Sequence, residues 1–147
     1  MIKKLDSLDF ESIEKMSNIW LNSNLDTHDF IKRDYWIDNV DKVKNMLPDS
    51  TIYVYYVDNQ IVGFAGLYEK YIAGIFIKDN YRNKGIGSLL LKRLKGDYKG
   101  LNLYVYEKNE GAIRFYTKHQ FEIRSKEFEV ETQEYEYLMG WDSNQYY

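Results

Sequence analysis

The most informative segment of the chain reads Ile75-Phe76-Ile77-Lys78-Asp79-Asn80-Tyr81-Arg82-Asn83-Lys84-Gly85-Ile86-Gly87. An apolar strand is followed by a polar loop with two glycines, and an apolar helical run comes next. The first N–H groups of a helix have no partner within it, and the helix dipole is positive there, so such a junction binds anions. Gly85 and Gly87 lack a Cβ and let a phosphate approach the backbone, while Arg82 and Lys84 add positive charge. The spacing alone also fits a tight turn that holds no ligand.

Periodicity along the rest of the chain predicts a mixed α/β (α+β) domain. Before Pro48, apolar residues recur at helical spacing after Asp9, a helix N-cap, and again over residues 35–46. Residues 24–31 are predicted to form the turn between these helices. After Pro48 the pattern predicts strands and helices in alternation, with Gly96 closing one helix and Asn109 capping the next. The strands are expected over residues 51–57, 61–67, 71–77, 101–106, 123–130 and 135–141.

Two separated motifs resemble the GNAT superfamily of N-acetyltransferases. Arg82-x-x-Gly85-x-Gly87 is similar to the family's R/Q-x-x-G-x-G/A signature, which binds the diphosphate of coenzyme A. The segment from Asn109 to Tyr116, followed by Gln120-Phe121, resembles N-x-x-A-x-x-F-Y…G-F, with Gln120 in place of the usual glycine. The resemblance covers about residues 61–121. Short segments such as Tyr35-Trp36 further resemble the YiaC-like group of small bacterial acetyltransferases, some of which acetylate protein lysines or N-termini.

The resemblance implies a single GNAT domain over residues 1–147. Its sheet would be mixed and mostly antiparallel, with about six to seven strands and helices on both faces. The fourth strand would splay from the fifth to admit the pantetheine arm of acetyl-CoA. The residues that the resemblance assigns to acetyl-CoA are Ile75, Phe76, Ile77, Arg82, Asn83, Lys84, Gly85, Ile86, Gly87, Ser88 and Asn109.

Family chemistry also suggests catalytic roles. An amine attacks the thioester directly, so a proton must leave the amine and another must reach the thiolate. Tyr116 is the expected general acid, although a tyrosine on a helix also serves simply for packing. The base is open: Glu69, Glu107 or water can take the proton, and both carboxylates also suit a solvated surface. The acceptor side is expected to include His28, Trp36, Tyr71 and Tyr137, all of which also suit core or rim packing.

Composition limits the remaining possibilities. The chain has 147 residues, a net charge of −3 and no cysteine, which argues against broad nucleic-acid binding and excludes disulfides and thiolate sites. No apolar run is long enough to span a membrane, and without a secretory leader the cytoplasm is the expected compartment. His28 and His119 are isolated, so no metal is expected. A monomer or a homodimer is expected, with Tyr146 and Tyr147 as candidate contact residues.

Several functions remain open at this stage. The acceptor could be a protein lysine, a peptide N-terminus, a polyamine or an aminoglycoside. Outside catalysis, the chain could be an acyl-CoA-binding sensor, or a partner-binding protein that keeps the fold without the coenzyme. Tyr116 argues against the first of these alternatives, and the intact Arg82, Gly85 and Gly87 argue against the second.

Overall fold

Residues 1–144, the part of the chain that the computed structural model describes, contain seven strands, five α-helices and two short 3₁₀ helices at Leu47–Asp49 and Asp79–Tyr81. The strands are β1 (Ile2–Lys4), β2 (Thr51–Val57), β3 (Gln60–Tyr68), β4 (Tyr71–Ile77), β5 (Gly100–Tyr106), β6 (Glu122–Glu129) and β7 (Glu134–Asp142). The helices are α1 (Phe10–Thr27), α2 (Arg33–Asp38), α3 (Val40–Met46), α4 (Ile86–Asp97) and α5 (Glu110–Lys118). The candidate contact residues Tyr146 and Tyr147 lie outside this part of the chain.

All strands join one sheet in the order β1-β2-β3-β4-β5-β7-β6, and every neighbouring pair is antiparallel except β4 and β5. The parallel pair has two partner positions, Tyr71 with Asn102 and Ile72 with Leu103. Beyond them β4 continues to Ile77 and β5 to Tyr106 without pairing to each other. We call this gap the splay. The predicted mixed sheet of six to seven strands, parted between its fourth and fifth strands, is confirmed.

Buried apolar side chains hold helices on both faces of the sheet, as predicted. On the α4/α5 face, Leu90, Leu91 and Leu94 of α4 have no exposed surface. On the opposite face, here the α1 face, Met16 and Ile19 of α1 are buried against β2 and β3. Burial of one leucine side chain is worth about 1.5–3 kcal/mol, so the three leucines anchor α4 and fix its first turn beside the end of β4.

The two predicted helix caps are confirmed. The Oδ1 of Asp9 accepts a hydrogen bond from the Ser12 N–H at 2.8 Å, at the start of α1. The Oδ1 of Asn109 accepts from the Ala112 N–H at 3.1 Å, at the start of α5. Each bond satisfies one of the N–H groups that a helix start leaves without a partner.

The predicted start of the turn over residues 24–31 is wrong, because the turn begins later in the chain. Helix α1 continues to Thr27, and His28 is its C-cap. Asn24, which a sequence pattern assigns to a turn, is buried inside the helix, and its Nδ2 donates to the Trp20 carbonyl at 2.9 Å. Packing and this bond outweigh the weak helix propensity of asparagine.

Two other predicted boundaries are wrong. The helix predicted over residues 35–46 is two helices, α2 and α3, which meet at Asn39. Gly96 lies inside α4 instead of closing it, because the helix continues to Asp97. The Asp97 carboxylate accepts hydrogen bonds from Tyr53 at 2.8 Å and Arg93 at 3.1 Å, and these hold the last turn.

Candidate active site

Helix α4 begins without a side-chain cap, unlike α1 and α5. Its N-cap is Gly85, whose φ of 84° lies in the left-handed region, and no side chain caps the first turn. A Cβ built on Gly85 would meet nothing within 4 Å, so the backbone angle, and not lack of space, requires glycine here. The first-turn N–H groups and the positive end of the helix dipole are therefore available to an anion.

Arg82 connects this loop to the end of β4 and to α1. Its Nε donates to the Ile77 carbonyl at 3.0 Å, and its Nη1 forms an ion pair with Asp26 of α1 at 3.0 Å. Its Nη2 is buried without a hydrogen-bond partner among the described residues. Part of the arginine charge is thus balanced by Asp26, and one donor remains for a ligand.

The other residues assigned to the coenzyme gather around the same helix start. Asn83 and Lys84 are exposed, and Asn83 has a φ of 61°. Ile86 is buried in the core and Gly87 lies against the Phe115 ring, where a Cβ would make an ordinary contact at 3.5 Å. The Ser88 hydroxyl lies 3.1 Å from the His119 Nε2. The loop therefore has an anchored side, formed by Ile86, and an exposed side at residues 83–85.

The edge of β4 that faces the splay is shaped by a bulge. Gly66 pairs with Gly74 and Leu67 with Ile72, so Ala73 is the extra residue on β4. Phe76 packs on the α1 face with its ring over Gly74, where a Cβ would lie 2.2 Å from the ring. Ile75 and Ile77 point to the opposite face. The backbone from Gly74 to Ile77 pairs with β3 on one side, and its other edge lines the splay.

Tyr116 is buried on the α4/α5 face. Its side chain is 7% exposed and packs against Phe115 and Phe121. Burial raises the pKa of Tyr116 well above its ordinary value, and Tyr71 adds to the shift. The phenol therefore keeps its proton at neutral pH and remains a hydrogen-bond and proton donor.

Aromatic side chains line the α1 face beside the splay. Leu103 and Val105 of β5 belong to the α4/α5 core, so the alternating Tyr104 and Tyr106 face the other way. The Tyr71 ring lies 6.0 Å from that of Tyr104, and Tyr106 lies 5.1 Å from His28. These rings continue into α2 through Trp36, which is stacked on His28 with centroids 5.3 Å apart. We call the set His28, Trp36, Tyr71, Tyr104 and Tyr106 the aromatic wall.

Glu136 on β7 is a carboxylate beside this wall, and Glu127 is another, which accepts a hydrogen bond from the Tyr104 hydroxyl at 3.0 Å. Glu136 pairs with Tyr106 of β5 in the sheet register. Burial raises the pKa of both Tyr71 and Tyr106, and the charge of Glu136 adds to each shift. Burial raises the pKa of Glu136 itself, and Glu129 and Glu127 add to that shift. No cation or hydrogen-bond donor of residues 1–144 contacts it. Glu136 is thus a partly buried carboxylate without a counter-ion, beside a wall of rings.

The structure separates the remaining predicted site residues from this wall. Tyr137 pairs with Val105 and so lies on the α4/α5 face, where its hydroxyl donates to Glu107 at 3.0 Å. Lys126 also binds Glu107, at 2.7 Å, and lowers the pKa of that carboxyl together with Tyr137. Glu69 is exposed in the turn between β3 and β4, with a φ of 54°. Glu136 contributes to the pKa shift of Tyr71, whereas neither Glu69 nor Glu107 does.

Three residues of the site were not identified from the sequence: Tyr104, Tyr106 and Glu136. Strand alternation carries a signal for the two tyrosines, since both follow buried residues in β5 at a spacing of two. Glu136 needs the β5–β7 register, which no local pattern contains. Because a shift of one residue in that register exchanges Glu136 and Tyr137 between the two faces, sequence alone does not decide which of the two lies beside the wall.

Comparison with known proteins agrees with this geometry. A model of the family described as acetyltransferase (GNAT) domain matches residues 48–123, which is more than half of the chain. The chain belongs to the GNAT family of acetyltransferases. It is 32% identical over 125 residues to the peptidyl-lysine N-acetyltransferase YiaC of Escherichia coli K12, an alignment that covers 84% of this chain and 86% of YiaC.

Solved GNAT structures show the same fold. The solution structure of apo YjaB from Escherichia coli superposes with a TM-score of 0.82 at 26% identity and covers 95% of both chains. An acetyltransferase from Bacillus anthracis, solved with acetyl coenzyme A, gives a TM-score of 0.55 at 26% identity over 63% of this chain and 62% of that one. With the family match and the YiaC relative, this identifies the chain as an enzyme that transfers an acetyl group from acetyl-CoA to an amine.

The site fits this co-substrate. The uncapped start of α4 and the free Nη2 of Arg82 suit a diphosphate, and the unpaired edge of β4 suits the amides of a pantetheine arm. In residues 1–144, no helix has the length and apolar character needed to cross a membrane.

Proposed function

We propose that this GNAT enzyme acetylates lysine side chains of proteins. The observation that carries the proposal is the aromatic wall with the unpaired Glu136 beside it. A lysine has an apolar stem that rings can flank and an ammonium group that a carboxylate and ring faces attract. The proposal is supported by the names of two curated relatives that the chain matches over most of its length, YiaC and YjaB, both called peptidyl-lysine N-acetyltransferases.

A buried donor in the wall adds to this support. Trp36 is 6% exposed, and its Nε1–H has no hydrogen-bond partner among the described residues. A buried donor without a partner costs about 1–3 kcal/mol, a cost that a bound carbonyl oxygen would remove. A peptide supplies such carbonyls next to its lysine, whereas a polyamine has none.

The proposed reaction is a direct transfer. Glu136 attracts the lysine ammonium and takes one of its protons, directly or through water, which leaves a neutral amine. The amine nitrogen attacks the thioester carbonyl carbon, the C–N bond forms, and the C–S bond breaks. Tyr116 donates its proton to the departing thiolate. Glu136 takes the place of Glu69 and Glu107 in this proposal, because it alone of the three combines partial burial with contact to the wall.

The coenzyme roles assigned from sequence become part of the same proposal. Gly85, Ile86, Gly87 and Ser88 offer main-chain N–H groups to the diphosphate, and Arg82, Asn83 and Lys84 surround it. The backbone of Ile75, Phe76 and Ile77 aligns the pantetheine arm, and one of its N–H groups polarises the thioester carbonyl. Asn109 lies at the far side of the splay, at the start of the helix that carries Tyr116.

The test compares acceptors at equal amine concentration. Thiol release from acetyl-CoA is measured with a lysine peptide, the same peptide with acetylated lysine, a polyamine and an aminoglycoside, and mass spectrometry locates the acetyl group. We expect the lysine peptide to react fastest and at Nε. Faster transfer to a polyamine or an aminoglycoside, or modification only at the peptide N-terminus, would contradict the proposal.

Glu136→Gln tests the proposed proton acceptor. We expect kcat/KM for the lysine peptide to fall by at least about 100-fold, the usual loss when a general base is removed. Glu122→Gln is the matched control, since it removes the same charge from an exposed position at the start of β6. Equal activity of the two variants would exclude Glu136 from the chemistry.

A further inference from the structure

His28 is held between two carboxamides, one on each side of its ring. Its Nδ1 lies 3.0 Å from the Oδ1 of Asn24, and its Nε2 lies 3.0 Å from the Nδ2 of Asn109. The Asn24 amide is oriented by its bond to the Trp20 carbonyl, and the Asn109 amide by its bond from the Ala112 N–H. One continuous chain of hydrogen bonds therefore runs from α1 to the start of α5.

These hydrogen bonds allow only one protonation state of the His28 imidazole. Since the Asn24 Oδ1 can only accept, the His28 Nδ1 carries the hydrogen. Since the Asn109 Nδ2 can only donate, the His28 Nε2 presents its lone pair. Burial lowers the pKa of His28 to about 4, so the ring is neutral near pH 7. An imidazolium would set two donors against each other at Asn109 and lose that bond.

His28 also connects the two sides of the splay. On the α1 face its ring stacks on Trp36 and meets the edge of Tyr106, both in the aromatic wall. Its bond to Asn109 reaches the residue that caps α5. Asn109 precedes Tyr116 by seven residues, about two helical turns, so the start of α5 orients the helix that presents the phenol.

We propose that His28 is a positioning residue, which holds the Asn109 amide and the aromatic wall in register across the splay. The proposal rests on the roles proposed for Asn109 and Tyr116. Because its lone pair is already occupied, His28 does not take the proton of the substrate amine. It acts through Asn109 on the donor side and through Trp36 on the acceptor side.

Two conservative variants separate the two hydrogen bonds. In His28→Gln the amide oxygen reaches the place of Nε2 and accepts from Asn109, whereas in His28→Asn the amide nitrogen reaches the place of Nδ1 and donates to Asn24. His28→Phe keeps an aromatic ring and loses both bonds. If the bond to Asn109 positions the site, Gln retains more kcat than Asn and Phe, and the latter two lower it by up to about 100-fold, the loss that a displacement of about 1 Å can cause. All three variants change the stacking on Trp36, so the comparison among them isolates the bond to Asn109.

Thermal midpoints and folded fractions of the three variants distinguish positioning from simple loss of structure. Equal activity of the Gln and Asn variants, or losses that only follow the folded fraction, would overturn the proposal.

The state of the ring is measured independently of activity. Imidazole ¹⁵N shifts of the wild-type protein should show a protonated Nδ1 and an unprotonated Nε2 at pH 7, with no change down to pH 5; the His28→Gln spectrum distinguishes His28 from His119. Asn109→Asp keeps the cap but replaces the donor by a carboxylate, so it should raise the pKa of His28. An Nε2–H tautomer, or titration near the ordinary value of about 6.5, would refute the proposed hydrogen bonds of His28 to Asn24 and Asn109.

The failure of this proposal is distinguishable from the failure of the proposed function. If the wild type transfers nothing to the lysine peptide, the proposed acceptor is wrong, and the imidazole spectrum still decides whether His28 makes these two hydrogen bonds.

Discussion

Replacing Gly85 by alanine tests the left-handed start of α4. An L-residue pays about 1–2 kcal/mol in the left-handed region, and φ at Gly85 is 84°. Alanine also restricts the unfolded chain, which returns about 0.4–1 kcal/mol. No atom lies within 4 Å of the new Cβ, so a clash adds nothing. The expected net loss is about 1 kcal/mol, which lowers Tm by about 2–4 °C in a domain of this size.

Two further variants make this reasoning specific. Asparagine tolerates the left-handed region better than alanine does, so Gly85→Asn should lie between wild type and Gly85→Ala. Gly87→Ala is the matched control, because Gly87 lies within the helix and its added Cβ would contact the Phe115 ring at an ordinary 3.5 Å. Alanine is a better helix former than glycine, and we expect this variant to be at least as stable as the wild type.

Thermal unfolding of the four proteins, with and without coenzyme A, is the assay. Without ligand the expected order of Tm is Gly87→Ala, wild type, Gly85→Asn and Gly85→Ala, from high to low. With coenzyme A the shift in Tm should be smaller for Gly85→Ala than for the wild type, since its loop no longer presents the same N–H groups. If Gly85→Ala matches the wild type in both measurements, the left-handed backbone at residue 85 is not needed.

Three other outcomes follow from the site. Coenzyme A at about 100 times its Kd should stabilise the wild type by about 2.7 kcal/mol, and no shift in Tm at millimolar ligand would refute the assigned site. Tyr116→Phe should lower kcat by about 100-fold or more and keep that shift, whereas unchanged turnover would exclude the phenol as the acid. The lowered pKa of His28 means that the folded protein binds fewer protons than the unfolded chain between about pH 6.5 and 4, so stability falls as pH falls through that range. The wild type should therefore lose about 2 kcal/mol relative to His28→Gln between pH 7 and pH 5, as measured by urea unfolding, and parallel pH profiles would contradict the neutral ring.

Much of the fold could be predicted from local patterns. β-Branched and aromatic residues predicted the strand over residues 51–57, the turn at residues 58–59 predicted its returning partner, and alternation predicted the strand over residues 101–106. Asp9 and Asn109 mark their helices because each cap is a bond within four residues. The errors at Asn24 and Gly96 have a common cause. Both residues have low helix propensity, but distant packing and side-chain bonds hold them inside helices, and propensity does not contain that information.

The candidate site also contains residues that a local pattern predicts and residues whose position depends on distant parts of the chain. The motif residues Arg82, Gly85 and Asn109 could be assigned to the coenzyme because each belongs to a short local sequence pattern, and these roles stay predictions. Glu136 was not identified, because its place beside Tyr106 depends on strand register, which is a long-range property. The ion pair of Arg82 with Asp26 could not be predicted from a local pattern either, because the two residues are 56 positions apart in the sequence.

The end of α1 contacts a residue of each signature motif. Asp26 binds Arg82, which follows β4, and His28 binds Asn109, which follows β5. One helix end therefore contacts the exits of both strands that part at the splay. A change in the distance between those strands must stretch one of these two bonds or move the end of α1. Because His28 and Trp36 belong to the aromatic wall, any such movement also displaces the acceptor side. The Asp26–Arg82, His28–Asn109 and His28–Trp36 contacts therefore link the two sides of the splay through the end of α1, a segment that the sequence predicted to be a turn.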